Sequence, residues 1–220
     1  MFHFIVLDLD GTIEDSRVDM VASVQRVRSA FGLPLRNENN IVPWLSQGMD
    51  SLYINCFDDY VDSEHDEPRI LEVQEAYLAD YLGNVARETR LYEGMSRALD
   101  ELSKIGKLAV ATNKPEKITR RLLEELGVNG YFSAVVCADT VGELKPSPLL
   151  LKRASELTGY DASSGKSFMI GDSAGDIRMG KDFGAVTIWC SWGYAREPGI
   201  KPDRTAWKPI ELPGIVKNFL

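Results

Sequence analysis

From about Arg90 to the end of the 220-residue chain, helical and strand-like patterns take turns, and this alternation constrains the fold more than any other feature. The apolar spacing predicts helices over 95–105, 116–126, 148–157, 174–183 and 212–219, and strands over 108–111, 134–137, 167–170 and 185–189. Helices and strands in such succession predict an α/β core: a doubly wound, Rossmann-like parallel sheet with helices on both faces. The continuous apolar run Phe4-Ile5-Val6-Leu7 reads as a further strand buried on both sides. At 44% hydrophobic residues, the chain has enough apolar surface for one such core and a smaller lobe.

The segment between the first strand and Arg90 has a different texture. Ser16 is placed to cap a helix in which Val18, Val21, Val24 and Val27 recur every three residues until Gly32 and Pro34 stop it. A second helical pattern covers about 49–60. A third follows Pro68, with Ile70, Val73, Tyr77, Leu78, Tyr81 and Leu82 as its apolar positions. With no strand between them, residues 16–86 are expected to be an all-helical domain inserted into the core, which comprises 1–15 and 87–220. The two chain crossings, near 14–16 and 86–91, are the expected hinges. Trp44, Tyr53, Phe57 and Tyr60 have the helical spacing of core residues more than of a pocket lining.

Charge follows the same division. Residues 16–86 hold twelve Asp and Glu against five Arg and no Lys, whereas the rest of the chain is nearly balanced. Part of that excess is the run Asp62-Ser63-Glu64-His65-Asp66-Glu67, expected to be a solvated loop. A chain with net charge −8 lacks the basic stripe that phosphate-backbone binding requires, so nucleic acid is not an expected partner. No apolar stretch is long enough for a membrane span, and the N-terminus does not have the pattern of a signal peptide. The expected compartment is therefore the cytoplasm, with no membrane partner and a monomer or homodimer as the expected state. Cys56, Cys137 and Cys190 are odd in number and far apart, which predicts reduced packing residues.

In a parallel sheet, the residues just beyond the strand ends share one edge, where such folds bind their ligands. Here they are unusually chemical. The first strand runs into Asp8-Leu9-Asp10-Gly11-Thr12, whose two acids point to the same side of an extended chain. The second leads to Thr112-Asn113-Lys114, a hydroxyl and backbone N–H groups at a helix entrance. Past the third comes Lys145-Pro146, and after the fourth Gly171-Asp172-Ser173-Ala174-Gly175-Asp176. Each piece alone is an ordinary turn, cap or solvated charge, but four at successive strand ends point to one site.

Two familiar motifs do not fit. A calcium loop needs a third oxygen residue before its glycine and a helix in front. Gly165-Lys166-Ser167 ends like a phosphate-binding loop but leads into a strand instead of out of one. Oxygen ligands from Asp8, Asp172 and the Asp10 carbonyl suit a hard cation such as Mg²⁺, which bridges readily to a phosphate. The lysine and the hydroxyl suit the remaining phosphate oxygens. One carboxylate beside the cation can attack phosphorus while the other moves protons.

Together, Asp8-Leu9-Asp10-Gly11-Thr12, Thr112-Asn113-Lys114, Lys145-Pro146 and Gly171 to Asp176 resemble the four motifs of haloacid dehalogenase (HAD) superfamily phosphatases. The resemblance implies a Mg²⁺-dependent phosphatase acting on a small phosphorylated metabolite through an aspartyl-phosphate intermediate. It makes Asp8 the nucleophile and Asp10 the general acid/base. Thr112, Asn113 and Lys145 would bind the phosphoryl group. Asp8, the backbone of Asp10 and Asp172 would bind the metal, with Asp176 a further ligand or a partner orienting Lys145. The helical insertion resembles a mobile cap.

Within the superfamily, Ala109-Val110-Ala111-Thr112-Asn113-Lys114-Pro115 and Ser191-Trp192-Gly193-Tyr194 are most similar to phosphoglycolate phosphatase-like proteins. In the cap, Val42 stands where that family segment has an arginine, and Ser46 where it has the first glycine of a Gly-x-Gly. The resemblance therefore implies the substrate class more than the compound. A dehalogenase would not need Asp10, and a phosphonate hydrolase of this type would need a cap lysine, of which residues 16–86 have none. The alternatives are a sugar-phosphate mutase or phosphotransferase of the same superfamily, or a non-catalytic binding protein on this fold.

Overall fold

A computed structural model describes residues 2–45, 47–163 and 165–220. In chain order the elements are β1 (His3–Leu7), β2 (Glu14–Asp15), α1 (Arg17–Ala30), α2 (Met49–Cys56), α3 (Glu67–Asn84), β3 (Arg90–Leu91), α4 (Met95–Ser103) and β4 (Gly106–Thr112). There follow α5 (Glu116–Glu125), β5 (Phe132–Cys137), α6 (Ala138–Val141), α7 (Leu149–Thr158), β6 (Ser167–Gly171), α8 (Ala174–Phe183), β7 (Val186–Cys190), β8 (Arg204–Ala206) and α9 (Leu212–Lys217). Two compact units result: Met1–Asp15 with Arg90–Leu220, and Ser16–Thr89.

The first unit is built on a six-stranded sheet of order β5-β4-β1-β6-β7-β8, with every neighbouring pair parallel. Phe4, Ile5, Val6 and Leu7 of the central β1 are wholly buried, as are Phe168, Met169 and Ile170 of β6. That burial on both faces explains why these strands read as unbroken apolar runs. The chain steps from β1 to β4 and β5 on one side, and β6, β7 and β8 continue on the other. This reversal of strand order beside β1 opens a crevice at the carboxyl ends.

Three elements had no apolar signal. Arg204-Thr205-Ala206 forms β8 because Asp203 accepts from the Thr187 amide and hydroxyl at 2.8 and 2.7 Å, docking the segment against β7. β2 and β3 pair antiparallel, Glu14 with Leu91 and Asp15 with Arg90, where the chain leaves the first unit and returns to it.

In the helical unit, α1 and α2 both pack on α3. Val21, Val24 and Val27 are buried, while Val18 is exposed. Ser16 stands before α1 without making a side-chain capping bond; its hydroxyl lies 3.4 Å from the Met20 sulfur. Tyr53 and Phe57 are core residues. Arg28, 1% exposed, donates to Asp59, to the Cys56 carbonyl at 2.6 Å and to the Pro34 carbonyl at 2.9 Å. The unit runs three residues past 86 because buried Asp19 of α1 accepts from the amides of Glu88 and Thr89 and from the Thr89 hydroxyl. The acidic 62–67 run is a surface feature, with the His65 side chain 87% exposed. Ser46 lies outside the described residues.

Candidate active site

All the residues singled out at the strand ends come from the first unit, and the structure brings them together. Asp8 follows β1, Thr112 closes β4, Lys145 precedes α7 and Asp172 follows β6. Lys145 is the hub: its Nζ lies 2.5 Å from Asp8 Oδ1 and 2.9 Å from Asp176 Oδ1. Its amide donates to Asn113 Oδ1 at 2.9 Å, so the Asn113 side chain fixes the loop that carries the lysine. Burial opposes the Lys145 charge, but the carboxylates of Asp176 and Asp8 outweigh it and hold the ammonium protonated above its usual range.

Asp8, Asp172 and Asp176 are all buried, and each offers an oxygen within 4.8 Å of the others. Burial first, and then the neighbouring Asp176, raises Asp8 well above the ordinary carboxylate range. The same two causes push Asp172 up to about 7. Three carboxyls around one lysine leave negative charge uncompensated in an enclosed place, and an all-oxygen donor set suits a hard divalent cation. The residues therefore fit Mg²⁺.

The two later acids are held differently. Both Asp176 oxygens are already engaged, Oδ1 by Lys145 and Oδ2 by the amide and hydroxyl of Ser173 at 3.0 and 2.6 Å. Ser173 and Asp176 thereby form the capping box that starts α8. Asp172 is aimed from behind: its Oδ2 accepts from the Tyr194 amide at 2.6 Å and its carbonyl from the Trp189 indole at 2.8 Å. Two glycines make room for it. A Cβ on Gly11, which has φ of +82°, would come within 2.5 Å of Asp172 Oδ2, and one on Gly193 would overlap the Asp172 side chain.

Asp10 has its own partners. Its Oδ1 receives the Lys114 ammonium at 2.7 Å, and the entirely buried Glu14 packs beside it. Burial first, and then Asp10, raises Glu14 well above the usual range. Thr112 is 1% exposed, and its Oγ1 accepts from the Lys114 amide at 3.1 Å. Sequence reasoning assigned no role to Lys114, Glu14, Ser173, Trp189 or Tyr194. Lys114 had a signal, its place in Thr112-Asn113-Lys114, and Tyr194 lay in the quoted Ser191–Tyr194 stretch. Ser173 lay in the quoted Gly171–Asp176 stretch, and Glu14 and Trp189 had no signal of a role.

Residues 5–190 match the model of the haloacid dehalogenase-like hydrolases. The chain belongs to that family, and within it to the phosphatases. It is 30% identical over 217 residues to a phosphoglycolate phosphatase of Aquifex aeolicus, covering 98% of this chain and 97% of the relative. An N-acetylmuramic acid 6-phosphate phosphatase of Pseudomonas aeruginosa is 31% identical over 191 residues, covering 86% and 82%. A crystal structure of a predicted phosphoglycolate phosphatase from Haemophilus somnus superposes with a TM-score of 0.85 at 26% identity, covering 100% of this chain and 98% of the other. Relatives of like identity thus carry the names of different phosphate esters. No helix among the described residues is long and apolar enough to cross a membrane.

Proposed function

We propose that this phosphatase hydrolyses a small, phosphoglycolate-like phosphomonoester with Mg²⁺ as cofactor, by way of a phosphoryl group carried on Asp8. The observation that carries the reading is the contact of buried Lys145 with both Asp8 and Asp176, beside Asp172 and at the carboxyl ends of the sheet. An Asp8 carboxylate oxygen attacks phosphorus and the bond to the ester oxygen breaks. Asp10 gives its proton to that leaving oxygen. Water then attacks the phosphorus held on Asp8, its proton passes to Asp10, and phosphate leaves with the Asp8 carboxylate restored. Dividing the hydrolysis in this way replaces one very slow step by two easier ones.

Thr112 Oγ1, the Asn113 amide and Lys145 Nζ are assigned to the phosphoryl oxygens. Asp8, the Asp10 carbonyl and Asp172 are assigned to Mg²⁺, which when bound supplies positive charge to a phosphoryl group surrounded by carboxylates. Asp176, with both oxygens engaged, is assigned to orienting Lys145. The helical unit is assigned the part of a cap that selects the ester, because it is inserted directly after the Asp8–Thr12 motif.

A mutase handling a second phosphate would call for cationic groups in that unit. Four of its six arginines are instead committed to acids of the same unit: Arg26 to Asp80, Arg28 to Asp59, Arg36 to Asp58 and Arg69 to Asp62. This favours a monoester without a second phosphate. The test is phosphate release from 2-phosphoglycolate, other small phosphomonoesters and 4-nitrophenyl phosphate, with Mg²⁺ and with chelator. Asp8→Asn should lose at least about 10⁴-fold. An unmodified protein inactive on every ester would refute the reading.

A further inference from the structure

Lys114 is buried in a way that packing does not account for. Its side chain is 1% exposed, yet it carries an ammonium, set against an Asp10 side chain that is itself only 12% exposed. Buried ion pairs are poor stabilisers compared with apolar residues of similar volume, so their presence calls for another reason. The backbone of Lys114 is pinned on both sides before the side chain reaches across. Its amide donates to Thr112 Oγ1 at 3.1 Å, and its carbonyl accepts from Thr119 Oγ1 at 3.3 Å. The ammonium then meets Asp10 Oδ1 at 2.7 Å. Asp10 is constrained from another direction as well, because Glu14 is joined to its segment by a backbone bridge and by the Gly11 amide donating to the Glu14 carbonyl at 2.9 Å.

We propose that Lys114 is a positioning residue for the proton donor: it holds the Asp10 carboxyl by Oδ1 and stabilises the negative charge that grows there as the proton leaves. The inference rests on the phosphatase reading above and adds to it a residue with no contact to phosphorus. In the first half-reaction, the P–O ester bond breaks with its electron pair going to the leaving oxygen, and the Asp10 proton moves to that oxygen. Lys114 neither gives nor takes a proton. It supplies a fixed positive charge next to the carboxylate being formed, in a site where such a charge acts at low effective dielectric. Because the same residue's amide orients the Thr112 hydroxyl, Lys114 also links the proton donor to a phosphoryl-binding group.

Leaving groups report on proton donation directly. 4-Nitrophenolate departs without a proton, whereas phenolate, being far more basic, needs one. The experiment measures kcat/KM, which covers only the steps through ester cleavage, for 4-nitrophenyl phosphate and phenyl phosphate with Mg²⁺. The proteins are the unmodified enzyme, Lys114→Gln, Lys114→Arg and Asp10→Asn, each checked for folding by circular dichroism.

Lys114→Gln should lose about 10²-fold on phenyl phosphate, at the lower end of what a positioned acid supplies, and less than about 5-fold on 4-nitrophenyl phosphate. Asp10→Asn should show the same leaving-group bias, and Lys114→Arg should recover part of the phenyl phosphate rate. Equal losses on both esters, or a rise in KM alone, would overturn the inference and make Lys114 a structural or substrate-binding residue. If Lys114→Gln does not fold, the bias is read from Lys114→Arg, which keeps the charge but displaces it, and an equal loss on both esters there overturns the inference equally. Failure of the underlying reading has a separate signature, an unmodified enzyme inactive on both esters.

Discussion

Stripping divalent cations from this protein should make its stability fall as pH rises through the weakly acid range, with Asp172 as a main cause. Asp172 is 3% exposed, and burial together with Asp176 raises it from 3.8 to about 7. Between about pH 4 and about pH 7 the folded chain therefore keeps a proton that the unfolded chain has given up. Stability consequently decreases with increasing pH across that window and levels off above it. A difference of about three units corresponds to up to about 4 kcal/mol, and proton sharing with Asp8 brings the expected loss to about 2–4 kcal/mol.

The assay is urea unfolding in chelator at steps across that window, for the unmodified protein and Asp172→Asn. Asp59, Asp80 and Asp203, all held below the usual carboxylate range, contribute the opposite slope. They are common to both proteins and cancel in the difference. The unmodified protein should lose about 2–4 kcal/mol relative to the variant between about pH 4.5 and pH 7.5. Mg²⁺ should restore stability more at the alkaline end, because it binds the ionised carboxylates. Parallel profiles for the two proteins, or a Mg²⁺ effect independent of pH, would refute the reasoning.

Two further perturbations probe other parts of the molecule. Gly193→Ala places a methyl group into the Asp172 side chain, so it should cost about 1–3 kcal/mol by overpacking and weaken Mg²⁺ binding in isothermal titration calorimetry; unchanged affinity would count against Asp172 as one of the metal ligands. Asp59→Ala leaves the guanidinium of Arg28 buried without its carboxylate, and should lower unfolding free energy by about 3–5 kcal/mol, with a loss under about 1 kcal/mol counting against that pair as a structural element of the helical unit.

The legible part of the fold was the part written in apolar runs. β1 and β6 are buried on both faces, so their sequences could be little else, and α8 keeps the bounds its apolar spacing predicts, with Ser173 and Asp176 capping its start and Gly184 at its end. β8 was not legible, since Arg204-Thr205-Ala206 becomes a strand only through Asp203 and the edge of β7. In the helical unit, Ser16 had the right residue type for a cap but makes no capping bond, because local preference names a candidate and tertiary contacts choose the partner.

The sequence by itself determined that Asp8, Asp10, Thr112, Asn113, Lys145, Asp172 and Asp176 would meet at one sheet edge. Parallel strands joined through helices leave no other place for residues that follow strand ends. Only the tertiary structure decided how those groups are used: which carboxylates Lys145 holds, that both Asp176 oxygens are spent, and that Asp172 is aimed by Tyr194 and Trp189. It also brought Lys114 and Glu14 to Asp10. Apart from Ser173 with Asp176 and Glu14 with Asp10, such pairings join residues 17 or more positions apart, and they depend on side-chain distances that no local pattern encodes.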